Sequence, residues 1–228
     1  MIVSVIGGTG PQGLGIALRL AIEGVEVIVG SRKEEKALTV VEEAKEKYAD
    51  YDLSRMCGMA NEDATKEGDI LILTVPLAAQ KPTLEGIKEF CSDKIILDAT
   101  VPLETAIGGK PFRFVDLMEG SAAERTAKIL DGTGAKVICA FCNISNSHLS
   151  NIPEEIDCDC LIAGDDKESK EIAIELINKI PGIRTIDTGI LEKAQIIEKI
   201  TPLLIGLNIK YKSHYGGLRI TGIPKLDE

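Results

Sequence analysis

The chain predicts an α/β fold, a doubly wound parallel sheet with a small C-terminal α/β domain. Three features carry this prediction. Strand-like, β-branched runs alternate with amphipathic helical patterns through short connections. The run Ile70-Leu71-Ile72-Leu73 is apolar at every position, as a strand covered by helices on both faces must be. The first strand, Ile2 to Ile6, runs straight into Gly7-Gly8-Thr9-Gly10-Pro11-Gln12-Gly13 and then into a helical pattern from Leu14 to Glu23.

Gly8, Gly10 and Gly13 form G-x-G-x-x-G between a strand and a helix, the placement a Rossmann dinucleotide loop requires. The first glycine permits the tight turn, the second lets backbone approach a pyrophosphate, and the third lets the helix pack near the strand. Bare amides at the helix start then face the phosphates. Thr9, Pro11 and Gln12 fill the loop and are candidate contacts. The second strand, Val25 to Val29, ends in Gly30-Ser31-Arg32, where an acidic residue would otherwise accept the ribose 2′-hydroxyl of NAD. Ser31 offers a hydroxyl, and Arg32, with Lys33 and Lys36, offers charge-assisted bonds to a 2′-phosphate. The alternative, a solvated helix start balanced by Glu34 and Glu35, sets cations against the helix dipole. Loop and strand tip together point to NADP(H).

The remaining elements follow in order. A helix is expected from Glu34 to Tyr48, a short strand from Arg55 to Met59 and a helical turn from Asn61 to Ala64. The strand from Asp69 stops at Pro76, a helix runs from Ala79 to Cys91, and a strand from Lys94 to Ala99 leads to Thr100-Val101-Pro102. Ser121-Ala122-Ala123-Glu124 reads as a capping box opening a helix to Leu130, and Ala135 to Phe141 is the next strand. Beyond Asn151 come a strand from Asp157 to Gly164, a helix from Asp166 to Ile180, a strand from Arg184 to Thr188 and a long helix from Leu191 to Tyr211. The texture changes between residues 145 and 152, which divides the chain into a dinucleotide-binding unit, 1–148, and a smaller unit, 149–228.

In an open α/β sheet, ligands sit outside the carboxyl ends of the strands. The residues expected there are Thr74, Val75 and Pro76, then Thr100 and Pro102, then Phe141-Cys142-Asn143-Ile144-Ser145. All are small, apolar or neutral. His148 falls on a helix past the strand end and His214 in the C-terminal tail, and neither has a visible partner for proton transfer. Hydride exchange between two cofactors needs no such group, because the protein must only stack them and exclude water. The tail adds Lys210, Lys212 and Arg219, which either meet phosphates or carboxylates of a second ligand or simply suit a helix C-terminus.

Composition bounds the partners. With 26 basic and 36 acidic residues the formal charge is −10, which argues against nucleic acid and anionic membranes. No apolar run reaches the length of a membrane span, and Met1 begins directly on the first strand, so the expected location is cytoplasmic. Six cysteines include Cys139-x-x-Cys142 and Cys158-x-Cys160, but these fall in expected buried strands. They read as buried free thiols, with no metal site.

Several segments together resemble the NADPH-dependent coenzyme F420 reductases, deazaflavin oxidoreductases that exchange hydride with NADP. They are Val5-Ile6-Gly7-Gly8-Thr9-Gly10, Val29-Gly30-Ser31-Arg32, Glu35-Lys36-Ala37, Thr74-Val75-Pro76, Glu119 to Glu124, Ala163 to Asp166, and the tail from Tyr211 to Gly222. The resemblance spans nearly the whole chain. It implies reversible hydride transfer between NADP(H) and the deazaflavin coenzyme F420, a C-terminal domain walling the deazaflavin cleft, a homodimer, and an archaeal or actinobacterial cell. It also implies that Thr9, Gly10, Gln12, Ser31, Arg32 and Lys36 hold NADP, and that Thr74, Val75 and Pro76 line the pyrophosphate and nicotinamide. Asn143 and Ile144 would face the deazaflavin and carboxamide. The segment Phe141 to Ser145 departs from the forms His-Thr-Ile-Pro and Phe-Asn-Thr-Val found in some members. Two other readings stay open: a reductase of a small imine, 2-oxo acid or flavin using His148, His214 or Tyr215 as proton donor, and an NADP(H)-sensing module without catalysis.

Overall fold

The computed structural model describes residues 1–223. The first half alternates β1 (Ile2–Ile6), α1 (Pro11–Ile22), β2 (Glu26–Ser31), α2 (Glu34–Lys47), β3 (Met56–Ala60), α3 (Asn61–Glu67), β4 (Ile70–Leu73) and α4 (Leu77–Ile87). The second half continues with β5 (Ile95–Asp98), α5 (Ala122–Ile129), β6 (Lys136–Cys139), α6 (Asn146–Ser150), β7 (Cys158–Gly164), α7 (Lys167–Ile177), β8 (Ile183–Asp187) and α8 (Ala194–Tyr211). The strands form one sheet in the order β3-β2-β1-β4-β5-β6-β7-β8. All neighbours are parallel except β6 and β7, which pair antiparallel through Ile138↔Gly164 and Cys139↔Ala163. The strands beyond residue 149 thus join the sheet through that short ladder. Among the described residues no helix is long and apolar enough to cross a membrane.

Period-two alternation divides the core into two layers. Val3, Val5, Ile70 and Ile72 face one side with Ile16 and Leu20 of α1, Val41 of α2 and Leu176 of α7. Ile6, Leu71 and Leu73 face the other with Leu84 of α4, Ala123 of α5 and Ile197 of α8. All are nearly fully buried, and each large aliphatic side chain contributes about 1.5–3 kcal/mol by leaving water.

Two helix starts and one helix cap illustrate how local chemistry shifts the sequence expectation. α1 begins at Pro11, three residues early, because proline's fixed φ suits the first helical position. α4 starts at Leu77 directly after Pro76 and tightens into a 3₁₀ turn at Lys88–Phe90. At α5, Ser121 Oγ accepts the Glu124 amide at 3.0 Å, but the Glu124 carboxylate returns to the Ser121 hydroxyl and not to its backbone. The open amides of Ala122 and Ala123 donate instead to the carboxyl of Glu198 on α8, at 2.9 and 3.1 Å.

Glu198 is completely buried, and burial pushes its carboxyl up to about 8. An unfolded chain releases the same proton near about 4.3. Its contribution to stability is therefore fullest at acid pH and declines as pH rises from about 4.3 through about 8, the window in which only the folded state holds the proton. Denaturant midpoints measured from pH 5 to 8 should fall less steeply for Glu198→Gln than for the unaltered chain; equal slopes would remove this assignment.

Candidate functional site

A cleft of about 1750 Å³ opens along the carboxyl ends of the strands, over the point between β1 and β4 where the strand order reverses. From the β2 tip to the β6 tip the sheet takes four interstrand steps, about 19 Å at roughly 4.8 Å each. One end of the cleft is cationic, and its middle and far end are lined chiefly by neutral and apolar side chains.

The glycine loop divides its labour among four residues. Gly7, at φ 74°, makes the left-handed turn out of β1, and its amide donates to Asn61 Oδ1 at 3.2 Å. The tight turn thus falls one residue before the motif's first glycine. At Gly8 a Cβ would lie 2.7 Å from the Val5 carbonyl oxygen, and at Gly13 one would lie 2.5 Å from Thr74 Oγ1 and 2.7 Å from the Gly8 Cα. Neither lines the cleft; both let α1 rest on the strand tips. At Gly10 a Cβ meets only the Gly7 oxygen at 3.8 Å, so this glycine faces open space. The α1 N-terminus has no side-chain cap, which leaves its first amides free for an anion.

Ser31, Arg32, Lys33 and Lys36 line the adjoining wall at the β2 tip. Ser31 is buried, and its Oγ receives the Lys33 amide at 3.4 Å, so its proton is still available to a ligand. Arg32, Lys33 and Lys36 are exposed and have no carboxylate within 4.0 Å among the described residues. The α2 N-terminus also lacks a side-chain cap. Three cations and an uncapped helix start thus meet at this end of the cleft, an arrangement that favours an anion.

The middle of the cleft is formed by Thr74, Val75 and Pro76 with Ala99 and Val101. Thr74 Oγ1 donates to the Ile6 carbonyl at 3.1 Å and so turns its proton away from the cleft. Thr100 and Pro102 are both buried and do not line the space. Thr100 instead closes the strand tip, its amide donating to Asp98 Oδ1 at 2.8 Å. The segment after it contributes a wall that sequence reasoning missed, through Leu103, Thr105, Ala106 and Pro111 around a 3₁₀ turn at Glu104–Ile107. No periodic pattern announces such a turn.

At the β6 tip Phe141 is fully buried with φ at 61°, a costly conformation for an aromatic residue. Gln12 Nε2 holds its carbonyl at 3.1 Å. The turn carries Cys142, Asn143 and Ile144 across the cleft floor. Both ends of the Asn143 amide are engaged by β7, donating to the Asp159 carbonyl at 2.6 Å and accepting from the Leu161 amide at 3.1 Å. Its side chain therefore pins β7, leaving Ile144 as the side chain of that pair free to meet a ligand. The Cys139 and Cys142 sulfurs lie 3.5 Å apart. That contact and burial hold the Cys142 thiol well above its ordinary range, so it lines the floor as a neutral group.

Helix α8 supplies the far wall with Thr201, Leu204, Ile205, Asn208 and Ile209. Thr201 Oγ1 donates to the Cys142 carbonyl at 2.6 Å and ties this wall to the β6 tip. Among the described residues no Asp, Glu or Tyr lines the cleft. His214 sits on its rim. His148 and Tyr215 lie in a separate small hollow, where His148 Nε2 bonds the Tyr215 carbonyl at 2.8 Å. The signal for the α8 wall was present in its helical spacing, but only the folded chain shows which face turns inward.

Comparison with known proteins shows a family. Residues 2–102 match the family model described as NADP oxidoreductase, coenzyme F420-dependent. The F420-dependent NADP reductase of Methanothermobacter marburgensis is 50% identical over 225 residues, covering 99% of this chain and 100% of the relative. The enzyme of the same name from Methanocaldococcus jannaschii is 46% identical over 224 residues, covering 98% and 99%. A solved Arthrobacter sp. chain, provisionally described as an F420-dependent NADP reductase, superimposes with a TM-score of 0.81 at 20% identity, covering 97% of this chain and 99% of that one.

The glycine geometry separates packing from binding. Gly13→Ala should lower the unfolding free energy by about 1–3 kcal/mol through overpacking. Gly10→Ala should leave the melting temperature within about 2 °C, since its backbone is extended and nothing crowds the new methyl, yet weaken dinucleotide binding. Calorimetry on both variants checks this; a destabilised Gly10→Ala protein would contradict it.

Proposed function

The chain belongs to the family of F420-dependent NADP reductases, and from that membership we propose how its cleft works: NADP(H) lies along the tips of β2, β1 and β4, and a deazaflavin sits between the β6 tip and α8. As a member the chain is an oxidoreductase acting on NADP(H) and coenzyme F420. The two cofactors supply the chemistry, a reversible hydride exchange from ring to ring. The protein's part is to bind, orient and keep water out.

The single observation carrying this reading is size combined with lining. A volume of about 1750 Å³ exceeds the roughly 300–1,000 Å³ of an ordinary single-ligand pocket, and no acidic side chain among the described residues lines it. On this reading Gly10, Pro11, Gln12 and Thr9 take the pyrophosphate at the α1 N-terminus. Ser31, Arg32 and Lys36 take the 2′-phosphate, and the open space over Gly10 is the fit expected for backbone meeting phosphate. Thr74, Val75 and Pro76 shelve the nicotinamide. Ile144, with Leu204 and Ile205 of α8, presses on the second ring, which makes α8 of the C-terminal unit the wall of the deazaflavin cleft. Stacking at van der Waals distance replaces acid or base catalysis.

The family comparison weighs against the imine, 2-oxo acid and sensing readings. Among their proposed proton donors, His148 and Tyr215 lie outside the cleft. A reducing compartment, the cytoplasm, suits six free cysteines. Pairing with a second copy is supported by Ile196, Leu203 and Leu207, which expose 62%, 61% and 41% of their surface along α8. A sedimenting monomer at micromolar concentration would dismiss that dimer.

Mixing the protein with NADPH and oxidised deazaflavin should bleach the deazaflavin absorbance, and no bleaching would defeat the reading. In the same assay His214→Gln should lose less than about tenfold in turnover, because a true general acid is worth roughly 10²–10⁴. Arg32→Ala should weaken NADPH by about 1.5–3 kcal/mol and NADH much less; equal weakening would make Arg32 structural.

A further inference from the structure

Lys210, Lys212 and Arg219 form a basic stretch in a chain of formal charge −10, and the structure assigns them different tasks. Arg219 is held by Asp157 and Asp159, at 2.6 and 2.9 Å. Asp159 is itself fully buried, and although burial opposes its ionisation, bonds from Arg184, the Ile220 amide and Arg219 hold its carboxyl below the usual range. That cluster anchors the tail to β7 and leaves Arg219 no role in the cleft. Lys210 lies over the Tyr211 ring at 5.4 Å and does not line the cleft. Lys212 does line it, with no carboxylate within 4.0 Å among the described residues.

The position of Lys212 is built. Thr201, Leu204, Ile205, Asn208, Ile209 and Lys212 recur at helical spacing and present one face of α8 to the cleft. From Thr201, bonded to the β6 tip, to Lys212 that face runs about 16 Å at roughly 1.5 Å per residue. Its middle is apolar and its end is charged. Lys212 ends the helix in the left-handed conformation, at φ 53° and ψ 41°. The Ser213 amide donates to the Asn208 carbonyl at 2.9 Å, the Gly216 amide to Asn208 Oδ1 at 2.8 Å, and Ser145 Oγ to the His214 carbonyl at 2.9 Å. The turn is thereby fastened both to α8 and to the loop after β6.

We infer that Lys212 receives an anionic group, phosphodiester or carboxylate, on the side chain of the second cofactor. The inference rests on the deazaflavin reading above. A flat ring at the β6 tip, lying against Leu204 and Ile205, directs its side chain along α8 toward Lys212, the one lysine or arginine among the described residues that lines this end of the cleft. The cleft then has two cationic poles, Arg32 with Lys33 and Lys36 at one end and Lys212 at the other, on either side of a neutral floor. Each pole fixes one ligand by its charged terminus, and the uncharged rings meet between them.

The test uses Lys212→Asn, because asparagine removes the charge while tolerating the left-handed backbone. Steady-state kinetics are compared with two acceptors, the deazaflavin carrying its natural anionic side chain and the same ring bearing only a neutral ribityl chain. The expected result is a KM raised roughly five- to tenfold for the anionic acceptor, with the neutral acceptor and NADPH changed less than twofold. Lys212→Arg should restore most of the loss. An analogue truncated after its phosphate separates the two anion sources: an undiminished effect assigns phosphate, and a vanished one assigns carboxylate. An equal rise for both acceptors, a rise for NADPH, or no change at all overturns the inference. If neither acceptor is reduced by the unaltered protein, the deazaflavin reading itself fails.

Discussion

The close seating of α1 on the strand tips is the constraint from which the cleft follows. Gly8 and Gly13 have no room for a Cβ, so the helix can descend onto β1 and β4 only if both positions are bare. That descent aims the uncapped amides of α1 across the place where the strand order reverses. A methyl at either position would lift the helix and move the amides away from any phosphate, whatever the rest of the sheet did. Asn61 serves the same geometry from α3 by fixing the Gly7 amide.

The opposite wall is attached by polar contacts made far apart in sequence. Glu198 satisfies the α5 N-terminus from within α8, and three residues later Thr201 takes the Cys142 carbonyl. Asn143 sews the β6 tip to β7, and Gln12 holds the strained Phe141 turn from the glycine-loop side. Each bond removes an otherwise unsatisfied buried polar group, whose isolation would cost about 1–3 kcal/mol. Together they make one body of the strand-tip shelf and an apolar helix face, while among the described residues the acidic groups stay off the cleft lining. An acidic protein can therefore receive polyanionic ligands, since charges separated by more than about 8–10 Å are largely screened at physiological salt.

Much of this was legible in the linear chain. Strands and helices announced themselves through alternation and helical periodicity, because their hydrogen bonds are local or repetitive and demand matching apolar faces. The glycine spacing and the Gly30-Ser31-Arg32 tip were equally plain, since both depend on what a short segment can do by itself. Boundaries slipped where a proline acted as a helix starter, at Pro11 and after Pro76.

By itself the sequence determined the alternating α/β order, the glycine-rich loop between β1 and α1, the cationic β2 tip and the scarcity of acid–base groups near the strand ends. Each is a property of neighbours in the chain. Tertiary structure alone decided that Gly7 makes the turn, that Asn143 braces β7, that Thr100 and Pro102 turn inward, and that Lys212 lines the cleft while Arg219 is bound to aspartates. Those outcomes depend on which partners reach a side chain from elements many residues away. No local pattern encodes that, because a lysine or an asparagine carries the same chemistry until folding chooses what surrounds it.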